Sequence, residues 1–203
     1  MSELENRLNQ IEDKIKTPEF LTCKGIGNEI AFYIFDYEAD KELHVKKYTE
    51  TLINRFNTDA NLPDILHIDL FYDIILGYLK KTNRLDRFIQ HEKDNGSEAL
   101  LDAASDILKP QKLCAYIVES YKLDETDIIF ISGVGAAWPF IRAHSILSEL
   151  QNHISSKPVV LFYPGNYISD AEGHYFVPFG NHDLKKSNYY RAFHLVPYQR
   201  GVL

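Results

Sequence analysis

The run Ser132-Gly133-Val134-Gly135, followed a few residues later by Arg142 and His144, carries the strongest chemical signal in the chain. It closes an apolar stretch, Asp127 to Ser132, that reads as a strand, and it leads into a helical pattern predicted from about Trp138 to His153. Open parallel sheets bind ligands beyond the carboxyl ends of their strands. Free amides, a helix N-terminus and a guanidinium at such a place suit an anion or a carboxylate. Gly133, Gly135, Arg142 and His144 are therefore the candidates for an anion site. The same residues also suit a plain tight turn between strand and helix. A dinucleotide motif would need a third glycine, and Trp138 and Pro139 stand where a pyrophosphate would approach.

A second glycine pair, Lys24-Gly25-Ile26-Gly27-Asn28-Glu29, has the wrong order for phosphate chemistry. A phosphate loop needs strand, glycines, then helix, whereas here the glycines precede the apolar run, and that run ends in the acidic Asp36-Tyr37-Glu38. No Gly-Lys-Ser or Gly-Lys-Thr occurs, so the lysine and the magnesium-binding hydroxyl of a Walker motif are missing. Gly180-Asn181-His182-Asp183 matches one signature of metallophosphoesterases, but the companion motifs are absent and His67-Ile68-Asp69 runs in reverse order, so no metal site is assigned. Cys23 and Cys114 have no partners at metal or redox spacing, and no serine occupies a Gly-x-Ser-x-Gly elbow. The acidic pairs Asp36 with Glu38 and Asp69 with Asp73 are expected to cap helices and face water. No catalytic set and no cofactor site emerges.

Composition narrows the classes further. The 203 residues carry a formal charge of −7, which speaks against direct nucleic-acid binding, an affinity built mainly from lysine and arginine. Lys185, Lys186, Arg191 and Arg200 make the C-terminal region more basic than the rest, but they are scattered, and a solvated face is preferred over a local basic patch. No apolar run is long enough to cross a membrane, and the acidic N-terminus has no signal-peptide core, so a cytoplasmic protein with two reduced thiols is expected.

Periodicity supplies the elements that must position these residues. Leu4, Leu8, Ile11 and Ile15 form one apolar stripe on a helix over residues 2–16, with Ser2 and Glu5 at capping-box spacing and Pro18 as the stop. That stripe must be covered by the rest of the chain or by a partner, a second copy included. Strands are predicted at Ile30–Phe35, Ile65–Leu70, Asp127–Ser132, Pro158–Tyr163 and Phe193–Val196. Helices fall at 40–56, from Ile74, and through a helical insert over about 84–121 that is broken near Asn95-Gly96 and Pro110. Pro164-Gly165 has the residues of a type II turn, and 166–188 reads as irregular. The alternation implies one α/β domain over 1–203, a mostly parallel sheet of about five strands with helices on both faces.

Several segments taken together resemble one family. They are Lys24 to Glu29 leading into Phe32-Tyr33-Ile34-Phe35-Asp36-Tyr37, then Gly133-Val134-Gly135, Pro139-Phe140-Ile141-Arg142-Ala143-His144, Phe162-Tyr163-Pro164-Gly165 and Asn188-Tyr189-Tyr190-Arg191-Ala192-Phe193. In order and spacing, from about residue 3 to residue 196, they are similar to the BrxB family of BREX bacteriophage-exclusion systems. The resemblance implies a component of a multi-protein defence complex that works beside a DNA methyltransferase, an ATPase and the alkaline-phosphatase-like protein PglZ. It also implies a P-loop-type fold that has lost its nucleotide site, and a non-enzymatic role, with PglZ as the expected partner. It transfers no catalytic residues. Tyr37, Trp138, Tyr167, Tyr189 and Tyr190 are candidate interface anchors, since large amphipathic rings dominate binding hot spots, and core packing is the competing role for each. The rival reading is a nucleotide- or phosphate-binding enzyme built on the turn from Gly133 to Arg142.

Overall fold

The computed structural model describes residues 2–23, 31–154, 156–170, 173–182, 186–188 and 192–198. The Gly25 and Gly27 segment, Tyr189, Tyr190, Lys185, Arg191 and Arg200 lie outside the described residues.

Helix α1 (Glu3–Ile15) starts where the Ser2 hydroxyl accepts the Glu5 amide at 3.2 Å, and Glu3 and Glu5 place negative charge at its positive end. The short α2 (Pro18–Leu21) follows with Thr17 as its cap. Strand β1 (Phe32–Tyr37) leads to α3 (Glu42–Thr58), and β2 (Ile65–Asp69) passes through a π-helical turn, Leu70–Ile75, into α4 (Leu76–Lys81). Next come α5 (Leu85–Ile107) and α6 (Pro110–Ser120), the expected helical layer. Gly96 at φ 84° kinks α5 beside Asn95, and Pro110 opens α6, as the sequence breaks predict. Then follow β3 (Ile128–Ser132), α7 (Val134–Ala137), α8 (Ala143–Leu150), β4 (Val159–Asp170), β5 (Gly173–Pro178), β6 (Lys186–Asn188) and β7 (Phe193–His194).

The main sheet has the order β2-β3-β4-β1-β7, and every pair along it is parallel. Its strands read as continuous apolar runs because both faces are covered. Phe32, Ile34, Ile129, Ile131, Val159 and Leu161 pack with α4 through α8 on one face. Tyr33, Phe35, Phe130, Val160 and Phe162 pack with α1, α2 and α3 on the other. The α1 stripe belongs to this second core. Leu8, Ile11 and Ile15 are each no more than 1% exposed, so the chain itself covers the face that oligomerisation through α1 would have used.

Three expectations are corrected. Residues 166–170, 173–178 and 186–188 are not irregular: β4 runs on past the parallel sheet and pairs antiparallel with β5, Gly165 opposite Pro178 through Asp170 opposite Gly173, and β5 pairs with β6. Pro164-Gly165 is not a type II turn, which would need positive φ at the glycine. Gly165 instead lets two backbones meet, since a Cβ there would collide with the Val177 carbonyl and the Phe179 amide. Finally, no single helix spans 138–153. Trp138, preceding a proline, is held extended at φ −73°, ψ 136°, and α8 begins only at Ala143.

Candidate functional site

The turn after β3 is built against an acid. Gly133 adopts φ 74°, and a Cβ there would strike the Asp69 carboxylate at the end of neighbouring β2. Asp69 is occupied as a cap, accepting the amides of Phe71 at 2.9 Å and Tyr72 at 2.8 Å, while Asp73 accepts the Asp69 amide at 2.9 Å. Both acids thus do the capping expected of them, and the turn faces a carboxylate instead of a phosphate. Gly135 serves a close approach: a Cβ would lie 3.2 Å from Pro164 Cγ.

Ser132 Oγ lies 2.8 Å from His67 Nε2. Burial pushes the His67 imidazole below its usual range, with Asp69 and Asp73 opposing more weakly. Among the described residues no carboxylate orients its Nδ1, so the pair lacks the third member of a catalytic triad. Cys114 is a buried free thiol pushed up to about 12 by burial, the reverse of an activated nucleophile. No group of three or more His, Cys, Asp or Glu side chains converges to hold a metal among the described residues. Likewise, no helix among them is long and apolar enough to cross a membrane.

Arg142 and His144 line a cavity of about 30 Å³ together with Trp138, Tyr163, Pro178 and Phe179. The Arg142 guanidinium sits 5.3 Å from the centre of the Trp138 ring, and Phe179 meets that ring edge-on at 5.5 Å. Trp138 Nε1–H is buried with no hydrogen-bond partner among the described residues. Burial holds the Tyr163 phenol well above the usual tyrosine range, and the nearby Arg142 charge pulls it the other way. The structure therefore separates the candidates. Arg142 and His144 share a cavity with Trp138, Gly133 packs against Asp69, and Gly135 packs behind the Pro164 and Phe179 side of the cavity wall.

A different arginine closes the carboxyl end of β1. Arg7, on α1, is 1% exposed and donates to Asp36 Oδ1 at 2.9 Å, to the Asp36 carbonyl at 2.7 Å and to the Val196 carbonyl at 3.0 Å. Its guanidinium lies between the Phe35 and Tyr198 rings, 4.7 and 3.7 Å from their centres. The other Asp36 oxygen accepts the Tyr167 amide at 3.0 Å and has His194 Nε2 at 3.7 Å. The Tyr167 hydroxyl then bridges the Ala192 amide and carbonyl, both at 2.9 Å. Asp36 does not face water, contrary to the sequence expectation. It is 1% exposed and joins α1, β1, β4 and the last described segment. Sequence reasoning missed Arg7, although one signal was present: a cation four residues before Ile11, on the buried face of the stripe.

Among the proposed anchors, Tyr37 is 2% exposed and donates to Glu42 at 2.6 Å, and Tyr167 is 3% exposed. Both are core residues, whereas Trp138 is half-buried at the cavity. Burial raises Glu42 above the usual carboxylate range.

A family model described as "BREX protein BrxB" matches residues 66–195. A BREX protein BrxB of Escherichia coli O9:H4 (strain HS) is 35% identical over 194 residues, covering 96% of this chain and 92% of the relative. Another from Bacillus cereus (strain H3081.97) is 35% identical over 198 residues, covering 97% and 99%. No solved structure matches. The ordered motifs, the family model and two near-full-length relatives agree, and the chain belongs to the BrxB family of BREX proteins.

Proposed function

We propose that the chain is a non-catalytic adaptor of a BREX defence complex in the cytoplasm, and that PglZ is its direct partner. Family membership supplies the setting. The observation that carries the adaptor role is the filling of the strand ends by the protein's own side chains. Arg7 and Asp36 close β1, and Asp69 fills the turn after β3, at the places where an open parallel sheet would receive a nucleotide. This supports a P-loop-type sheet whose phosphate site has been replaced by internal packing.

The test is reconstitution with the cognate PglZ, followed by size-exclusion chromatography at micromolar concentrations, with calorimetry against ATP, GTP and NAD run in parallel. A co-eluting complex and no nucleotide heat are expected. Absence of a complex would sink the direct-partner role. Nucleotide binding that Arg142→Ala abolishes would instead support the enzyme built on the Gly133 to Arg142 turn.

A further inference from the structure

We propose that the cavity between Trp138, Arg142 and Tyr163 is a carboxylate pocket that receives an aspartate or glutamate side chain of the partner protein. The partner is the one the adaptor reading requires, so the inference rests on that reading.

Three residues that line this cavity carry donors with no acceptor among the described residues. The Arg142 guanidinium has its ring contact with Trp138 but no hydrogen bond or ion pair to any described residue. An arginine left without an acid among the described residues is notable in a chain with 29 acidic and 22 basic residues. Trp138 contributes a buried, unpaired N–H. Tyr163 lines the same space, is 3% exposed, and its hydroxyl makes no hydrogen bond to a described residue. A buried polar group without a partner costs roughly 1–3 kcal/mol, and here that cost falls on the Trp138 N–H, while the half-buried Arg142 guanidinium keeps contact with water until an acceptor arrives.

Size and charge select the acceptor. Sites for drug-sized ligands and cofactors span about 300–1,000 Å³. A cavity of about 30 Å³ has room for a terminal functional group and none for a nucleotide. One guanidinium with two neutral donors balances a single negative charge, and the planar fork of arginine matches a planar carboxylate in two parallel hydrogen bonds. The rim is apolar: Phe179, 41% exposed, stands edge-on to Trp138, with Pro164 and Pro178 beside it. Such walls exclude water from a seated carboxylate and accept the methylene stem behind it, as expected for a protein side chain more than for a free ion.

Trp138 is the single tryptophan of the chain, so its fluorescence reports on this cavity alone. The full chain is titrated at constant ionic strength with N-acetyl-glutamate amide, N-acetyl-glutamine amide and inorganic phosphate. A saturable change with the glutamate probe in the millimolar range is expected, at least tenfold weaker with the other two. Arg142→Gln should weaken the glutamate probe at least tenfold, and Arg142→Lys by less. In reconstitution with PglZ, Arg142→Gln should lower affinity at least tenfold, whereas Arg55→Gln, on α3 over the opposite face of the sheet, should not. Equal responses to glutamate and glutamine, or stronger binding of phosphate, would overturn the pocket. So would an Arg142→Gln protein that binds PglZ as tightly as the wild type. Failure of the wild type to bind PglZ while the glutamate probe saturates would overturn the partner assignment and leave the carboxylate chemistry standing.

Discussion

Arg7 and Arg142 are the same side chain in opposite situations. Arg7 is buried, makes three hydrogen bonds to Asp36 and Val196, and lies between two aromatic rings. Arg142 is half-exposed at a cavity mouth, touches one aromatic ring and has no acid among the described residues. The contrast separates charge that specifies a fold from charge that awaits a ligand. A buried cation must be satisfied within the chain or the fold fails. A cation at a surface cavity can wait, because water covers part of the cost of leaving it unpaired.

The largest test of this contrast is at the buried pair. Arg7→Met or Asp36→Leu leaves one charge buried without its partner and should cost about 3–5 kcal/mol, a fall in Tm of roughly 6–20 °C for a chain of this size. The double variant Arg7→Met/Asp36→Leu should recover a large part of that loss. Chemical denaturation of all three, arranged as a double-mutant cycle, measures the coupling. If the single variants unfold no earlier than the wild type, the pair is not the closure of β1 described above.

Next in size is Gly133→Ala, which combines a left-handed φ with a collision at Asp69 and should cost about 2 kcal/mol. Gly135→Ala meets Pro164 at 3.2 Å and Phe179 in ordinary contact and should cost less, so the ratio of the two, read from thermal melts, checks that these glycines serve packing.

A smaller effect is expected from pH. The folded-state pKa of His67 lies below its ordinary value of 6.5, so the unfolded chain binds the proton more readily. Stability held above about 6.5 is therefore lost as pH falls from there toward the folded value. His67→Gln, which can keep a hydrogen bond to Ser132, should flatten that part of the stability–pH profile. An unchanged slope would show that His67 is not what titrates.

Smallest of all, Arg142→Gln should shift stability by no more than about 0.5 kcal/mol while removing the carboxylate response. A Tm drop comparable to that of Arg7→Met would erase the distinction between the two arginines.

Periodicity made the parallel sheet legible, along with α1, α3 and the breaks at Gly96 and Pro110, because each is a local pattern of apolar spacing or a single residue with its own φ behaviour, free in glycine and fixed in proline. What escaped depends on contacts between distant segments. Pro164-Gly165 carries turn chemistry in its letters, yet Gly165 is there for the backbone of Val177 and Phe179. Asp36 was legible as an acid at a strand end, but its partner lies 29 residues upstream, and nothing in local spacing joins them. The cavity was half legible. Arg142 and His144 stood out as candidates beside the glycines, whereas the unpaired Trp138 N–H and the Tyr163 wall follow from how β4 packs against the Trp138 turn.

That strand has a mechanical consequence. Tyr163 and Pro164 form part of the cavity wall, and the Tyr167 amide on the same strand holds the Asp36 carboxylate. Since β4 is paired on both sides over Val159–Leu161, with β1 as far as Pro164, and continues into a hairpin, it behaves as a stiff beam carried out beyond the sheet, with one arginine station braced against it and the other anchored to its far section. Load applied at the proposed carboxylate pocket is thereby delivered to the clasp that ties the first helix of the chain to its last described segment.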